Sequence, residues 1–343
     1  MSLPNGISVV ICTYNGVSRL QPTLEAIFNQ KIHSDILWEL IIIDNASTDG
    51  TTAFCQAMFD QFHFNDKSRI VYEPLQGCNY SRLRGLNETK FKWLLFCDDD
   101  NHLYPDYIQT GWDILQKNDS IGVLGGQGVA LFETEKPNWF EQYSRSFAIG
   151  PQAKKEGKIQ NTFTKLYSAG SFFRKEALMY YYDKNFTTIM VGPKGNDLTR
   201  GEDTEWCFLI QLAGFDLWYS GDLKFYHFMT QGRMTWNYYL RLKAGISSGT
   251  AKLQSYEPFF KKKNPSHFDF IFSYLKAFLF TNVNWLQFSI RKKIQKSRYK
   301  KEQLELGNII NKGKAISYRK NYSEAYLHFK QLKRVLNQSV KNQ

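Results

Sequence analysis

Five apolar residues, Trp93-Leu94-Leu95-Phe96-Cys97, run straight into three carboxylates, Asp98-Asp99-Asp100, and then Asn101. A short apolar run rich in strand formers and closed by a polar cluster predicts a buried β-strand with acids at its carboxyl end. Adjacent carboxylates repel one another, at a cost that folding alone gives no reason to bear. A hard divalent cation removes that repulsion, and oxygen ligands suit Mg2+ or Mn2+, which stay partly hydrated and bridge to phosphates. A solvated acidic turn would explain the triplet in isolation; its place after a buried strand favours a site.

The flanking sequence repeats the pattern. Residues 8–12, 39–43, 69–72 and 121–124 also predict strands, and residues 19–30, 51–62, 80–90 and 106–117 have helical spacing of apolar positions. Strand and helix in alternation predict an α/β fold with a mostly parallel sheet covered on both faces. Ligands of such sheets bind beyond the carboxyl ends of the strands. The polar loops there are Thr13-Tyr14-Asn15-Gly16, Asp44 to Asp49, Glu73 to Asn79 and Asp98 to Asn101.

Asp44 follows Ile41-Ile42-Ile43 at a strand tip, where a carboxylate can accept a hydrogen bond from a nucleobase N–H or simply serve a turn. Asp49, with Ser47 and Thr48, has helix-capping chemistry. The stretch Gly77 to Gly85 starts a helix whose free amides favour an anion. Arg82 and Arg84, two residues apart, point in different directions. Arg82 is assigned to the ligand and Arg84 to a surface pair. Glu202 and Asp203 precede an expected helix. Acids there compensate the helix dipole, yet a carboxylate so placed also suits a general base. Glu205 has the same two explanations. His227, in an apolar run, is a core histidine unless it meets a metal or phosphate.

These stretches together resemble the metal-dependent, inverting glycosyltransferases of the GT-A fold, in the large class numbered family 2. The matching segments are Val9 to Asn15, Ile41 to Thr51, Gly77 to Gly85, Leu94 to Asn101, Ala169-Gly170 with Arg174, and Gly201 to Glu205 leading to Ala213-Gly214-Phe215, within residues 7 to 240. The resemblance implies that Thr13, Tyr14 and Asn15 line a nucleotide-sugar pocket, with Gly170 beside them. It implies that Asp44 holds the base, Arg82 assists base or diphosphate, and Asp99 contacts the ribose. Asp100 is the implied metal ligand, Asp98 extends the Asp-x-Asp spacing, and His227 matches a histidine near the metal in some members. Asp203, with Glu202 beside it, is the implied catalytic base. Asn45 departs from the pattern, standing where many members carry a second Asp. The implied cofactor is Mn2+ or Mg2+. The implied partners are a nucleotide-sugar donor and a saccharide or lipid-linked saccharide acceptor, in surface polysaccharide synthesis. A sugar nucleotidyltransferase would need a Gly-rich basic triphosphate loop, which is not evident near the amino terminus. A non-catalytic nucleotide-binding scaffold would not need both acidic sites.

Charge divides the chain. Of 44 Lys/Arg and 32 Asp/Glu, residues 252–343 hold 20 and 5, a net of +15, leaving −3 for residues 1–251. A catalytic domain at 1–251 and a basic, mainly helical region at 252–343 are expected. Residues 268–290 are aromatic-rich, with polar Asp269, Ser273, Lys276, Asn284 and Gln287 at steps of three or four save for one gap filled by Phe280, which predicts an interfacial or packed helix rather than a membrane span. Arg291 to Lys293, Lys296, Arg298, Lys300 and Lys301 then favour an anionic lipid surface over nucleic acid. Residues 304–332 faintly suggest one helix-turn-helix unit. The start at Met1-Ser2-Leu3 shows no signal or anchor pattern, so a cytoplasmic protein, peripheral on a membrane at most, is expected. Five scattered cysteines without a C-x-x-C pair suggest reduced thiols.

Overall fold

The computed structural model describes residues 3–160, 163–192, 198–295 and 298–340; Lys296 of the basic run lies outside them, as do the side chains of residues 298–301. Two compact units emerge, residues 1–180 with 209–234, and residues 181–208 with 235–343. The change of charge at residue 251 is compositional, and the packing divides along these other lines.

The first unit begins with β1 (Ile7–Thr13), α1 (Val17–Phe28), β2 (Trp38–Asp44), α2 (Thr51–Gln61), β3 (Ser68–Tyr72), α3 (Cys78–Glu88) and β4 (Trp93–Asp98). It continues with β5 (Asn101–Leu103), α4 (Tyr107–Gln116), β6 (Ile121–Phe132), α5 (Phe140–Tyr143), β7 (Gly157–Lys158) and β8 (Ser171–Arg174). Helices α6 (Lys175–Tyr182) and α7 (Glu202–Leu212) each span a unit boundary, and β9 (Asp216–Met229) completes the strands. Among the described residues one sheet runs in the order β3-β2-β1-β4-β8-β6-β9-β5, with β7 paired to β9. The four expected helices and five expected strands are all present. Strands β3, β2, β1 and β4 are parallel.

The cores of these parallel strands are apolar without alternation because helices cover both faces. Val9, Val10, Ile11, Leu40 to Ile43, Leu94 and Leu95 are all fully buried. Each contributes about 1.5–3 kcal/mol of transfer free energy, so the strand register is strongly specified. Two features depart from simple alternation: β8 runs antiparallel between β4 and β6, and three-residue β5 pairs antiparallel with β9.

The second unit is helical. Besides residues 181–208 it contains α8 (Trp236–Ser248), α9 (Thr250–Leu253), α10 (Glu257–Lys261), α11 (His267–Ile294), α12 (Arg298–Lys320) and α13 (Tyr322–Val340). Its centre is aromatic, with Phe270, Tyr274, Tyr318, Tyr322, Tyr326 and Phe329 in mutual ring contact. The expected pair of helices at 304–332 corresponds to α12 and α13. Among the described residues no helix is long and apolar enough to cross a membrane.

Candidate active site

Sheet register assembles the site. Thr13 lies opposite Asp44 in the β1–β2 pairing, and Cys12 lies opposite Asp98 in the β1–β4 pairing, so three carboxyl ends finish level with one another. Thr13 Oγ1 donates to Asp99 Oδ2 at 2.7 Å. Arg19, in the first turn of α1, completes the hold on Asp99 with its Nη2 at 2.8 Å from the same oxygen. Burial pushes the Asp99 carboxyl above the usual range, against the pull of Arg19.

Asp44 is buried and engaged locally. Its Oδ1 accepts from Ser47 N at 2.9 Å, and its Oδ2 accepts from the Thr52 hydroxyl. Each carboxylate oxygen can accept more than one hydrogen bond, so a further donor remains chemically admissible. Asn15 has φ 49°, and its Oδ1 accepts from Thr48 N at 2.8 Å, tying the first polar loop to the second. Tyr14 is 47% exposed beside it. Asn45 pins the third loop. Its Oδ1 accepts from Gly77 N at 2.8 Å and its Nδ2 donates to Leu75 O at 2.7 Å, two bonds that need an amide rather than a carboxylate.

Arg82 points inward from α3, donating to Ser168 Oγ at 2.6 Å and standing 3.7 Å from Asp98 Oδ1. Arg84 instead pairs with Glu88 on the surface at 3.0 Å. Gly170 has φ +64°, and its carbonyl accepts from Tyr107 Oη. A Cβ there would lie 2.7 Å from that oxygen, so only glycine fits without a shift.

Asp100 is set by the β5–β9 ribbon, where Asn101 lies opposite His227 and Phe228 N donates to Asp100 O at 2.9 Å. His227 Nδ1–H donates to Phe147 O at 2.8 Å, which turns Nε2 toward Asp100 Oδ1 at 3.4 Å. Arg233 Nη1 donates to Asp100 Oδ2 at 2.7 Å. Burial works against the charge on Asp100, but facing His227 and Arg233 outweigh it and hold its carboxyl well below the usual range.

Among the described residues no group of three or more His, Cys, Asp or Glu side chains forms a ready metal cage. Asp98, with its side chain 40% exposed, and Asp100 nevertheless provide two carboxylates of the kind that hold a Mg2+ or Mn2+ completed by substrate phosphates. A cation that the ligand helps to bind fits this donor set; a preformed protein cage does not.

Glu202 and Asp203 open α7 in the second unit. Glu202 is buried, and its Oε2 accepts from Gly201 N at 2.9 Å. Asp203 Oδ1 accepts from Thr204 N at 2.6 Å. Glu205 is fully buried, accepting from Ile189 N and Met190 N at 2.8 Å each and from Tyr256 Oη at 2.6 Å. Those bonds explain Glu205 as a packing residue of its unit.

Arg19, Ser168 and Arg233 were not assigned roles at this sheet edge on sequence grounds. Arg19 carries one usable signal, a cation in the first turn of the helix that follows the first polar loop. Arg233 lies 133 residues from Asp100, and only the antiparallel ribbon reveals its partner.

The model of the family described as glycosyl transferase family 2 matches residues 8–181. Glycosyltransferase AglE of Haloferax volcanii is 23% identical over 221 residues, covering 63% of this chain and 65% of that protein. The glucosyl-dolichyl phosphate glucuronosyltransferase of the same organism is 24% identical over 216 residues, covering 60% and 63%. The chain thus spans a little under two thirds of these curated relatives' own length. Among solved structures, the mannosyltransferase PcManGT of Pyrobaculum calidifontis, in complex with GDP-Man and Mn2+, superposes with a TM-score of 0.56 at 14% identity, over 96% of this chain and 86% of that one. The shared architecture is the GT-A fold.

Proposed function

Since the chain belongs to glycosyl transferase family 2, we propose that it transfers a sugar, with inversion, from a nucleotide-diphosphate-sugar donor to a saccharide or lipid-linked saccharide in surface polysaccharide synthesis. The observation that carries this is the level meeting of Thr13, Asp44, Asp98 and Asp99 at three adjacent strand ends, with Arg82 facing Asp98. A nucleotide-sugar presents a base, a ribose and a diphosphate. Asp44 is proposed to take the base N–H, Asp99 the ribose hydroxyls, and Arg82 the diphosphate, with Thr13, Tyr14, Asn15 and Gly170 shaping the pocket. The names of the relatives support a lipid-linked acceptor, since one acts on a glucosyl-dolichyl phosphate.

Asp98, Asp100 and His227 are the residues that would hold Mn2+ or Mg2+. When bound, such a cation neutralises charge that builds on the departing nucleoside diphosphate. Asp203 accepts the proton of an acceptor hydroxyl while that oxygen forms its bond to the anomeric carbon. The bond from that carbon to the phosphate oxygen breaks on the opposite face, and the nucleoside diphosphate leaves with the electron pair. Inversion follows from a single displacement. Glu202 sits beside this base and is held by the Gly201 amide.

Nucleotide-sugars screened with Mn2+ by thermal shift will identify the donor. With that donor, Asp203→Asn is expected to lower transfer by roughly 10²–10⁴-fold while leaving donor binding intact. Full transfer by this variant would remove Asp203 from the role.

A further inference from the structure

Helix α11 turns the wrong side outward for an ordinary packed helix. Its inward face is formed by Phe270, Ser273, Tyr274 and Thr281, and Ser273 is hydrogen-bonded to Gln254 and Glu257. Tyr274 Oη donates to Tyr318 O at 2.7 Å. The polar positions at steps of three and four are therefore not one exposed stripe, because part of them is consumed by packing. The outward face carries Phe268 at 82% exposure, Phe272 at 72%, Leu279 at 61%, Phe280 at 70%, Leu286 at 61% and Ile290 at 51%. At about 100° per residue these side chains fall within an arc of about 120°. Large apolar side chains grouped on one exposed face mark an interaction surface, and Lys276 and Gln287 fall within the same arc.

We propose that the outward face of α11 docks flat on an anionic lipid bilayer, its phenylalanines and leucines entering the interface while Lys276, Arg291 and Lys293 meet lipid phosphates. Charge complementarity selects this occupant. The three cations are exposed along the same helix, and residues 252–343 carry a net charge of +15. A second copy of the chain would bring the same cations against themselves. With Leu275 and Val283, exposed on the same face, the apolar spacing averages about 3.7 residues, close to the period of a straight helix and not the 3.5 of a left-handed coiled-coil seam. Insertion across the bilayer is excluded by composition, since α11 is not apolar enough to span. Its other face is packed against α12, which leaves the helix able to lie in the interface plane with its basic groups at headgroup level. This surface is argued from α11 alone and stands whether or not the transferase assignment holds.

Flotation of the full chain with vesicles of phosphatidylcholine, with and without phosphatidylglycerol, tests it. Wild type is expected to float with the anionic vesicles. Phe272→Ser/Phe280→Ser/Leu286→Ser should abolish flotation, and Lys276→Glu/Arg291→Glu/Lys293→Glu should weaken it roughly tenfold or more. Far-UV circular dichroism and melting should be unchanged in both variants, because every altered side chain is exposed. The proposal is overturned if wild type stays unbound, if it floats equally without phosphatidylglycerol, or if either folded variant floats like wild type. It is also overturned if light scattering finds a wild-type dimer that the triple serine substitution makes monomeric.

Discussion

Arg233 Nη1 lies 2.7 Å from Asp100 Oδ2, so the carboxylate proposed to meet a metal already faces an internal cation. Asp100 is 4% exposed at its side chain and Arg233 is 31% exposed, which makes the guanidinium the partner able to leave. A divalent cation held by Asp100 would compete with Arg233 for that carboxylate.

Replacement of Arg233 by Gln removes this competitor and leaves a buried carboxylate facing His227. A fully buried pair would cost 3–5 kcal/mol to break; solvent screening of Arg233 reduces the expected loss to about 1–2 kcal/mol at neutral pH. Added Mn2+ should restore more stability to the variant than to wild type, and melting curves with and without Mn2+ measure the difference. Equal stabilisation of both proteins would show that Arg233 does not compete. The Asp100 carboxyl is held below its ordinary value. The pair's contribution is thus present above the unfolded value of about 4 and lost as pH falls through the lower folded value. Wild type and variant should therefore converge in strong acid.

Gly170→Ala tests the close packing at the residue before β8. The added Cβ would meet Tyr107 Oη at 2.7 Å and the Phe225 ring at 2.8 Å, at a backbone φ of +64°. Left-handed strain of about 1–2 kcal/mol and overpacking of about 1–3 kcal/mol act together, so a loss of about 2–5 kcal/mol is expected in denaturant titration. A neutral result would mean that Tyr107 and Phe225 shift freely, contrary to their complete burial.

The start of α11 should respond to acid. Ser266 Oγ accepts from Asp269 N at 3.2 Å, and Asp269 Oδ2 accepts from Ser266 N at 2.8 Å, a reciprocal cap. Lys262 first, and Ser266 with it, holds the Asp269 carboxyl down at about 2. The cap's contribution is present above the unfolded value of about 4 and is lost as pH falls through the folded value. Protection of the amides of residues 267–270, taken relative to the intrinsic exchange rate at each pH, should fall across that window in wild type, and Asp269→Asn should show the lower protection on both sides of it.

Much of the first unit was legible because buried parallel strands carry a local signature. Val9-Val10-Ile11, Ile41-Ile42-Ile43 and Leu94-Leu95-Phe96 show it without alternation, and the polar residues after each fall where ligands of such sheets bind. Helical geometry separates Arg82 from Arg84, and in the folded chain Arg82 meets Ser168 while Arg84 pairs with Glu88. Less was legible for Asn45. Its departure from the family pattern is explained by two hydrogen bonds to a loop some 30 residues on, which only the folded chain displays.

The sequence by itself determined the strand-helix alternation, the family and the carboxylates at the strand ends, since hydrophobic period and motif spacing are local properties. Tertiary structure alone decided which cation each carboxylate meets: Arg19 for Asp99, Arg82 near Asp98, and Arg233 for Asp100. It also decided that α11 buries Ser273 and Tyr274 while exposing Phe268 and Phe272. The physical reason is the same in both cases. Periodicity shows that a helix has two faces or a strand has an end, but the choice of what each face or end meets depends on contacts between distant segments, whose energies no local window contains.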